Sequence, residues 1–192
     1  MKIEALISKS RSYRRFDQNQ RIPGETLHAL VKLARFSPSG MNLQPLKFWL
    51  SNTEDMNQRI FPHVGWAGAL KDWGGPVDGE RPSAYIIILG DTQIRESFGV
   101  DHGIAAQSIM LGAAEKGLGG CILGSAKKDA LRADLGILER FEILLVLALG
   151  VPAETVVTED VGADGDVTYY RDENDVHHVP KRGLDELILH DV

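Results

Sequence analysis

Residues 99–124, GVDHGIAAQSIMLGAAEKGLGGCILG, carry the clearest signal of the chain's architecture. From Gly99 to Lys116, apolar residues occupy nearly every face of a helix, which predicts a helix that is buried or lies in a subunit interface. Gly117 is predicted to end this helix, and Gly120–Leu123 is predicted to form a short strand. Because the glycine loop follows a helix and not a strand, it does not match a Rossmann dinucleotide site.

The segments on either side alternate between helical and extended patterns. Further helices are predicted around Ile3–Ile7, Gly24–Phe36 and Lys127–Leu135, and further strands at Leu46–Leu50, Ala84–Leu89 and Phe141–Leu149. Asn52–Glu80 is interrupted by glycines and prolines, so a loop with short helices is expected there. The length of 192 residues predicts a single domain over 1–192.

The C-terminal segment, about residues 155–192, has a different character. Thr155–Asp166 is acidic, while Thr168–Arg171 and Val176–Val179 favour a hairpin or an extended arm. Leu184–Leu189 favours a last helical turn. Because the segment is too polar for a second domain, we expect an arm that wraps a partner subunit.

Composition limits the classes of function. The net charge of -6 argues against broad binding to nucleic acid or to anionic membranes. The longest apolar run, Ile143–Leu149, is far too short to span a bilayer. Cys121 is the single cysteine, so an intrachain disulfide is impossible. These features predict a soluble, cytoplasmic protein without nucleic-acid or membrane partners.

Two basic clusters are candidate phosphate-binding sites. Residues 9–16, KSRSYRRF, combine four cations with two hydroxyls in an acidic protein. Arginine presents a planar fork of donors that suits phosphate, and serine adds a hydroxyl donor. The pair Lys181-Arg182 is a second candidate. The alternative for both clusters is a solvated surface, which is the usual setting of basic runs.

A polar loop is predicted between the second helix and the first long strand. Residues 37–45 read SPSGMNLQP, and Ser39, Asn42 and Gln44 are placed to present polar groups to a planar ligand. The alternative is a helix end followed by a turn, which serine, proline, glycine and asparagine also favour.

The sequence gives little indication of a metal site or of a nucleophilic side chain. His177 and His178 are adjacent, so on a strand they point to opposite faces and make a poor metal site. The default for Cys121 is a buried structural thiol. We therefore predict neither a metal site nor a catalytic side chain.

Taken in order, these motifs resemble the FMN-dependent nitroreductase family. Arg11–Phe16 is similar to its N-terminal phosphate motif, and Ser37–Pro45 to its Ser-Pro-Ser-x-x-Asn-x-Gln-Pro loop. Asp101–Gln107 followed by Gly117–Gly119 is similar to its central helix and the turn after it. Pro180–Glu186 is similar to its C-terminal end. The resemblance extends over nearly the whole chain.

The resemblance implies an α+β fold with a mostly antiparallel central sheet flanked by helices. It also implies a homodimer with FMN at the interface and a C-terminal arm exchanged between subunits. The chain departs from many members at two places. Ser10 stands where a second cation is common, and Leu46 follows Pro45 where an aromatic residue is common.

The resemblance also implies roles for individual residues. The expected phosphate contacts are Arg11, Ser12, Lys181 and Arg182, and the other expected FMN contacts are Arg14, Ser39, Asn42, Gln44, Leu123 and Gly124. Arg14 would lie at the pyrimidine edge, where a cation stabilises the anionic reduced ring. The backbone of Leu123 and Gly124 would lie near flavin N5.

The implied reaction is a ping-pong cycle in which NAD(P)H reduces FMN and a nitroaromatic, a quinone or a similar acceptor reoxidises it. The loop carrying Trp66, Lys71 and Trp73 would select the substrate. Three alternatives stay open. They are an FMN sensor or carrier without turnover, a dimeric interaction protein with a merely solvated basic cluster, and a related flavin chemistry such as dehalogenation or flavin fragmentation.

Overall fold

The structure is a computed structural model that describes residues 2–190. Its helices are α1 (Ile3–Lys9), α2 (Gly24–Arg35), α3 (Glu54–Ile60), α4 (Asp101–Glu115), α5 (Lys128–Leu135) and α6 (Leu184–Leu187). Its strands are β1 (Phe16–Asp17), β2 (Leu46–Ser51), β3 (Ala84–Asp91), β4 (Gly119–Leu123), β5 (Phe141–Pro152), β6 (Val156–Asp160), β7 (Tyr170–Arg171) and β8 (His177–Lys181). Short 3-10 turns occupy Gly40–Asn42 and Phe61–His63.

A five-stranded antiparallel sheet forms the centre of the fold. Strand β5 pairs with β3 along one edge and with β1 and β4 along the other, and β2 completes the sheet beside β3. Every residue of β3 is buried, because helices cover both faces. Helices α2 and α4 pack on one face and α5 on the other. The predicted antiparallel sheet flanked by helices is confirmed.

Helix α4 lies close to the predicted bounds, and its small residues let it approach α2 closely. A Cβ built on Gly112 would lie 2.2 Å from Cδ1 of Leu33 on α2. The opposite side of the helix leaves Gly103, Ile104 and Gln107 exposed. The helix is therefore a buried element on one side and an open surface on the other.

Replacing Gly112 with alanine should destabilise the protein by about 1–3 kcal/mol, because the added methyl group overpacks the α2–α4 contact. The colliding atom belongs to Leu33, which is partly exposed. Leu33→Ala in the same chain should therefore recover much of the loss. Urea unfolding of both single variants and the double variant checks this, and additive losses would contradict the packing described.

The C-terminal segment forms a second, three-stranded sheet in the order β6-β8-β7. The predicted hairpin is confirmed as the antiparallel pair β7–β8. Strand β6 was not predicted; it pairs in parallel with β8, and this long-range pairing outweighs its acidic composition. The segment is thus a folded sheet, not only an extended arm. Beyond β8, several apolar side chains are exposed among charged ones, and Leu189 is 98 % exposed.

Among residues 2–190, no helix has both the length and the apolar character needed to cross a membrane.

Candidate functional site

The N-terminal basic segment is held against the edge of the central sheet. Ser12 forms a parallel bridge with Gly120 at the start of β4, and the backbone N–H of Tyr13 donates to the Gly120 carbonyl over 2.9 Å. This pairing fixes the chain between α1 and β1. It places Arg11, Ser12 and Arg14, named here the arginine cluster, beside the first residues of β4.

Arg14 is the buried member of the arginine cluster, with 9 % of its surface exposed. Its Nη1 donates to the carbonyl of Ser12 over 3.2 Å and to Nε2 of His177 over 3.0 Å. Its guanidinium also lies 4.7 Å from the ring centroid of Tyr169. Among residues 2–190 no carboxylate forms an ion pair with this guanidinium, and its Nε has no hydrogen-bond partner. A buried cation with an unused donor is suited to an anion.

His177 acts as an acceptor toward Arg14 because it is neutral. Burial, reinforced by the nearby positive charge of Arg14, lowers the pKa of His177 to about 4. At neutral pH the ring is therefore unprotonated, and Nε2 offers its lone pair to the guanidinium. Strand β8 thus covers Arg14 without cancelling its charge.

Acidification should weaken the contact between β8 and Arg14. The pKa of His177 is about 4 in the folded chain and 6.5 in its ordinary state, so the unfolded chain takes up the proton first as pH falls. The contribution of neutral His177 to the free energy of unfolding is complete above about pH 6.5 and is lost as the pH falls toward 4. Its size is on the order of 2 kcal/mol.

The check is urea unfolding at pH 7 and at pH 4.5. The matched control is His177→Gln, which keeps an oxygen acceptor for Arg14 but does not titrate. The variant should lose less stability on acidification than the parent chain. An identical loss in both proteins would contradict the assignment.

Glu154 connects the arginine cluster with the C-terminal sheet. Its Oε1 accepts from the backbone N–H groups of Arg14 and Arg15, and its Oε2 accepts from Arg171 over 2.7 Å. The side chain is only 1 % exposed. The carboxylate therefore neutralises Arg171 and orients the backbone of the cluster, while the guanidinium of Arg14 has no ion-pair partner within the described residues. Sequence analysis missed this residue.

Arg11 and Ser12 form the accessible part of the arginine cluster. Nη2 of Arg11 donates to the carbonyl of Ile7 on its own helix over 2.7 Å, and its Nε has no partner among the described residues. Ser12 is exposed. Beneath them, burial raises the pKa of Cys121, so the thiol is protonated at neutral pH. The cluster therefore supplies donors and positive charge, and no nucleophile.

The loop predicted to contact a planar ligand is held by the first residue of α4. Oγ of Ser39 donates to Asp101 over 2.6 Å, and the backbone N–H of Gly40 donates to the same carboxylate over 3.0 Å. Burial opposes ionisation of Asp101, but these bonds outweigh it and lower the pKa. Asp101, which the sequence placed only within the central-helix motif, thus anchors the loop.

The anchored loop has an unusual backbone. Met41, Asn42 and Gln44 adopt φ values of 54°, 54° and 52°, in a region that non-glycine residues seldom occupy. Oγ of Ser39 accepts from the backbone N–H of Gln44 over 3.0 Å, so this hydroxyl is engaged within the loop. The side chains of Asn42 and Gln44 remain exposed.

The Ser39 loop and the arginine cluster lie at opposite ends of α4. The loop is bonded to Asp101, the first residue of the helix, whereas the cluster is bonded to Gly120, just past its end. The helix has 15 residues and therefore spans about 20 Å. Within one chain, the two predicted halves of the FMN site are separated by that length.

The remaining predicted cofactor contacts occupy two further positions. Leu123 and Gly124 lie at the far end of β4 from the arginine cluster, and a Cβ on Gly124 would meet nothing within 4 Å. Lys181 ends β8, about 13 Å along the strand from His177. Arg182 is exposed and pairs with Glu186 over 2.8 Å.

The three residues predicted to select the substrate lie in different structural environments. Trp66 packs beside Phe61, with ring centroids 6.1 Å apart, and joins the core on the α5 face. The Trp73 ring lies 4.5 Å from the Arg171 guanidinium, while Lys71 is exposed. Trp66 thus packs partly against the core, and Trp73 connects the loop to the C-terminal sheet.

The fold and this geometry define an α+β protein with a partly buried arginine cluster near one end of the central helix and a polar loop at the other end. Residues 7–151 match the model of the nitroreductase family. Because that match covers more than half of the chain, the protein belongs to the nitroreductase family. Within the described part of the chain, no group of three or more His, Cys, Asp or Glu residues is placed to hold a metal ion.

A sequence relative is a protein of Staphylococcus haemolyticus named as an NAD(P)H nitroreductase. It is 26 % identical over 74 residues, which cover 38 % of this chain and 30 % of the relative. The matched region thus represents less than a third of that protein.

Solved structures resemble the fold more extensively. An FMN-dependent nitroreductase from Clostridium difficile R20291 has a TM-score of 0.63 at 21 % identity, covering 78 % of this chain and 87 % of the other. A nitroreductase-type protein from Exiguobacterium sibiricum 255-15, solved in complex with FMN, has a TM-score of 0.68 at 19 % identity, covering 80 % and 90 %. At such identities the likeness establishes the fold alone.

Proposed function

We propose that this chain is an FMN-dependent oxidoreductase that takes electrons from NAD(P)H and passes them to a nitroaromatic, a quinone or a similar acceptor in a ping-pong cycle. The observation that carries the proposal is the arginine cluster. It combines a buried guanidinium that has no ion-pair partner among residues 2–190 with an exposed serine hydroxyl. Family membership and the FMN complex of a structural neighbour support FMN as the anion.

The donors present fit a flavin nucleotide. Arg11 and Ser12 are accessible and would hold the phosphate, whereas Arg14 offers an unused Nε from a less polar setting. Lys181 and Arg182 would add positive charge from the end of β8. Gly124 leaves the end of β4 open, which suits the close approach of a flat ring. When bound, FMN supplies the hydride and electron chemistry.

The role of this chain's own residues is binding and electrostatics. Because Arg14 is buried, its positive charge interacts more strongly with a bound anion than an exposed charge would. Glu154 neutralises the neighbouring Arg171. His177 shields Arg14 from water without being protonated. No side chain of the cluster is required to donate or accept a proton.

The proposed assembly is a homodimer, because one chain separates the two halves of the site by the length of α4. A two-fold axis beside α4 would set the helices antiparallel and bring the Ser39 loop of one subunit to the arginine cluster of the other. The open side of α4, with Ile104 and Gln107, provides the required surface, and Ile3 and Ile7 on α1 extend it.

In this proposal, only the end of the C-terminal arm crosses to the partner subunit. Residues 153–181 contact the arginine cluster of their own chain through Glu154 and His177. The segment proposed to cross to the partner subunit is therefore its end, where Leu184, Leu187 and Leu189 are exposed.

The test is to purify the protein, measure bound FMN by its absorbance, and follow NADH and NADPH oxidation with p-benzoquinone and nitrobenzene as acceptors. Flavin-containing protein with acceptor-dependent oxidation is the expected result. Flavin without turnover would favour the sensor or carrier. Protein that neither retains nor binds added FMN would contradict the proposal.

A further inference from the structure

A cavity of about 260 Å³ lies on a part of the molecule that the proposed FMN site does not use. Its walls come from the loop before α2, from α3 and from the residues that lead into β3. None of the predicted cofactor or substrate residues lines it. It therefore needs an explanation of its own.

Three side chains at alternating positions before and within β3 contribute to this cavity. Arg81 and Ser83 lie in the segment that leads into the strand and Tyr85 lies in the strand, and all three line the cavity. Ser83 is 5 % exposed and Tyr85 is 1 % exposed. The Ser83 hydroxyl, the Tyr85 hydroxyl and Nε of Arg81 have no hydrogen-bond partner among residues 2–190. Leaving buried polar groups unpaired is costly.

The neighbouring polar groups are already engaged, so they do not explain these donors. Asn57 on α3 accepts from Ser51 over 2.7 Å and donates to the Ser83 carbonyl over 2.8 Å. Glu54 accepts from Gln58 over 3.2 Å. Asn57 thus fixes the wall of the cavity while the Ser83 hydroxyl stays available.

Charge and protonation point to the class of ligand. Arg21 and Arg81 line the cavity, and Glu54 is the carboxylate in its lining. The exposed Asp78, outside the lining, pairs with Nη1 of Arg81 over 3.9 Å but leaves its Nε without a partner among residues 2–190. Burial raises the pKa of Tyr85, so its hydroxyl remains a donor at neutral pH. The guanidinium of Arg81 lies 4.5 Å from the ring centroid of Phe61, which holds it at the cavity. Two hydroxyl donors beside an arginine complement an oxyanion.

We propose that this cavity, named here the Tyr85 cavity, binds a small oxyanion of the carboxylate or phosphate class through Arg81, Ser83 and Tyr85. The site is separate from the arginine cluster and does not depend on the proposed oxidoreductase function. Its ligand is small, because the cavity volume of about 260 Å³ lies below the roughly 300–1,000 Å³ typical of sites for drug-sized ligands.

The test is a titration of the purified protein, with FMN present in excess, by inorganic phosphate and by acetate at constant ionic strength. Amide chemical shifts are followed by NMR, and sodium chloride serves as the reference salt. Saturable shifts at residues around the Tyr85 cavity are expected for at least one anion. Tighter binding of phosphate would identify a phosphate site, and tighter binding of acetate a carboxylate site.

The decisive variant is Ser83→Ala/Tyr85→Phe, which removes two hydroxyls without changing the shape of the wall. We expect this variant to fold, and its anion affinity should fall by at least about tenfold. Tyr170→Phe is the matched control, and Arg11→Ala/Arg14→Ala should leave the response intact. Absence of saturable shifts, or equal affinity in the double-hydroxyl variant and the parent, would overturn the proposal.

Discussion

The double variant Arg11→Ala/Arg14→Ala should retain almost no FMN after purification, and added FMN should bind it roughly a hundredfold to ten-thousandfold more weakly. Each charge-assisted hydrogen bond to an anionic ligand contributes about 1.5–3 kcal/mol, and two such losses multiply in the dissociation constant. Arg14 contributes through its buried, unused donor, and Arg11 through its accessible guanidinium. Flavin fluorescence titration measures the affinity directly.

Two controls separate loss of binding from loss of fold. Lys32→Ala/Lys127→Ala removes two exposed cations elsewhere and should leave FMN affinity unchanged. Arg11→Ala alone removes a side chain whose one hydrogen bond within the described residues is to Ile7, so its circular dichroism should match that of the parent while its affinity falls. Unchanged FMN content in the folded double variant would refute the site.

The variant Glu154→Ala should destabilise the protein by about 3–5 kcal/mol, because it removes a buried carboxylate and leaves the partly buried Arg171 only a longer pair, over 3.8 Å, with the exposed Asp175. It also removes the acceptor of the backbone N–H groups of Arg14 and Arg15. For a chain of this length the midpoint of thermal unfolding should fall by roughly 10 °C. Because these groups hold the arginine cluster in place, FMN should be lost with stability.

A graded series tests this account of Glu154. Glu154→Gln keeps an acceptor for the backbone but loses the charge opposite Arg171, so its loss should be intermediate. Glu159→Ala removes a more exposed carboxylate that pairs with His178 in the same sheet, and it should cost less than about 1 kcal/mol. Equal melting temperatures for Glu154→Ala and Glu159→Ala would rule out the buried contact.

Sequence patterns predicted the type and burial of an element where its own residues are sufficient to specify them. Helix α4 and strand β3 are rich in apolar residues, so their type, their approximate bounds and most of their burial follow from local residues. Gly117, with a φ of 77°, ends α4 as predicted because glycine tolerates the left-handed region. The resemblance to a family then indicated how these elements assemble.

The contacts and burial of the site residues could not be predicted from local sequence in the same way. Arg14 has the pattern of a solvated basic run, and its burial depends on Glu154 and His177, which are 140 and 163 residues away. The hydroxyl of Ser39 is bonded to Asp101, 62 residues away. Such contacts arise from the tertiary fold, and no local periodicity encodes them. The Tyr85 cavity was missed for the same reason.

The central claim is that one FMN site combines the arginine cluster of one subunit with the Ser39 loop of another, and complementation tests it most directly. Arg11→Ala/Arg14→Ala is co-expressed with Asn42→Gly/Gln44→Gly, in which glycine preserves the positive φ values, and heterodimers are isolated through two different tags. Each variant alone should lack FMN, whereas the heterodimer should bind one FMN in its single intact site. A heterodimer without FMN, or a parent chain that binds FMN as a monomer, would contradict the account.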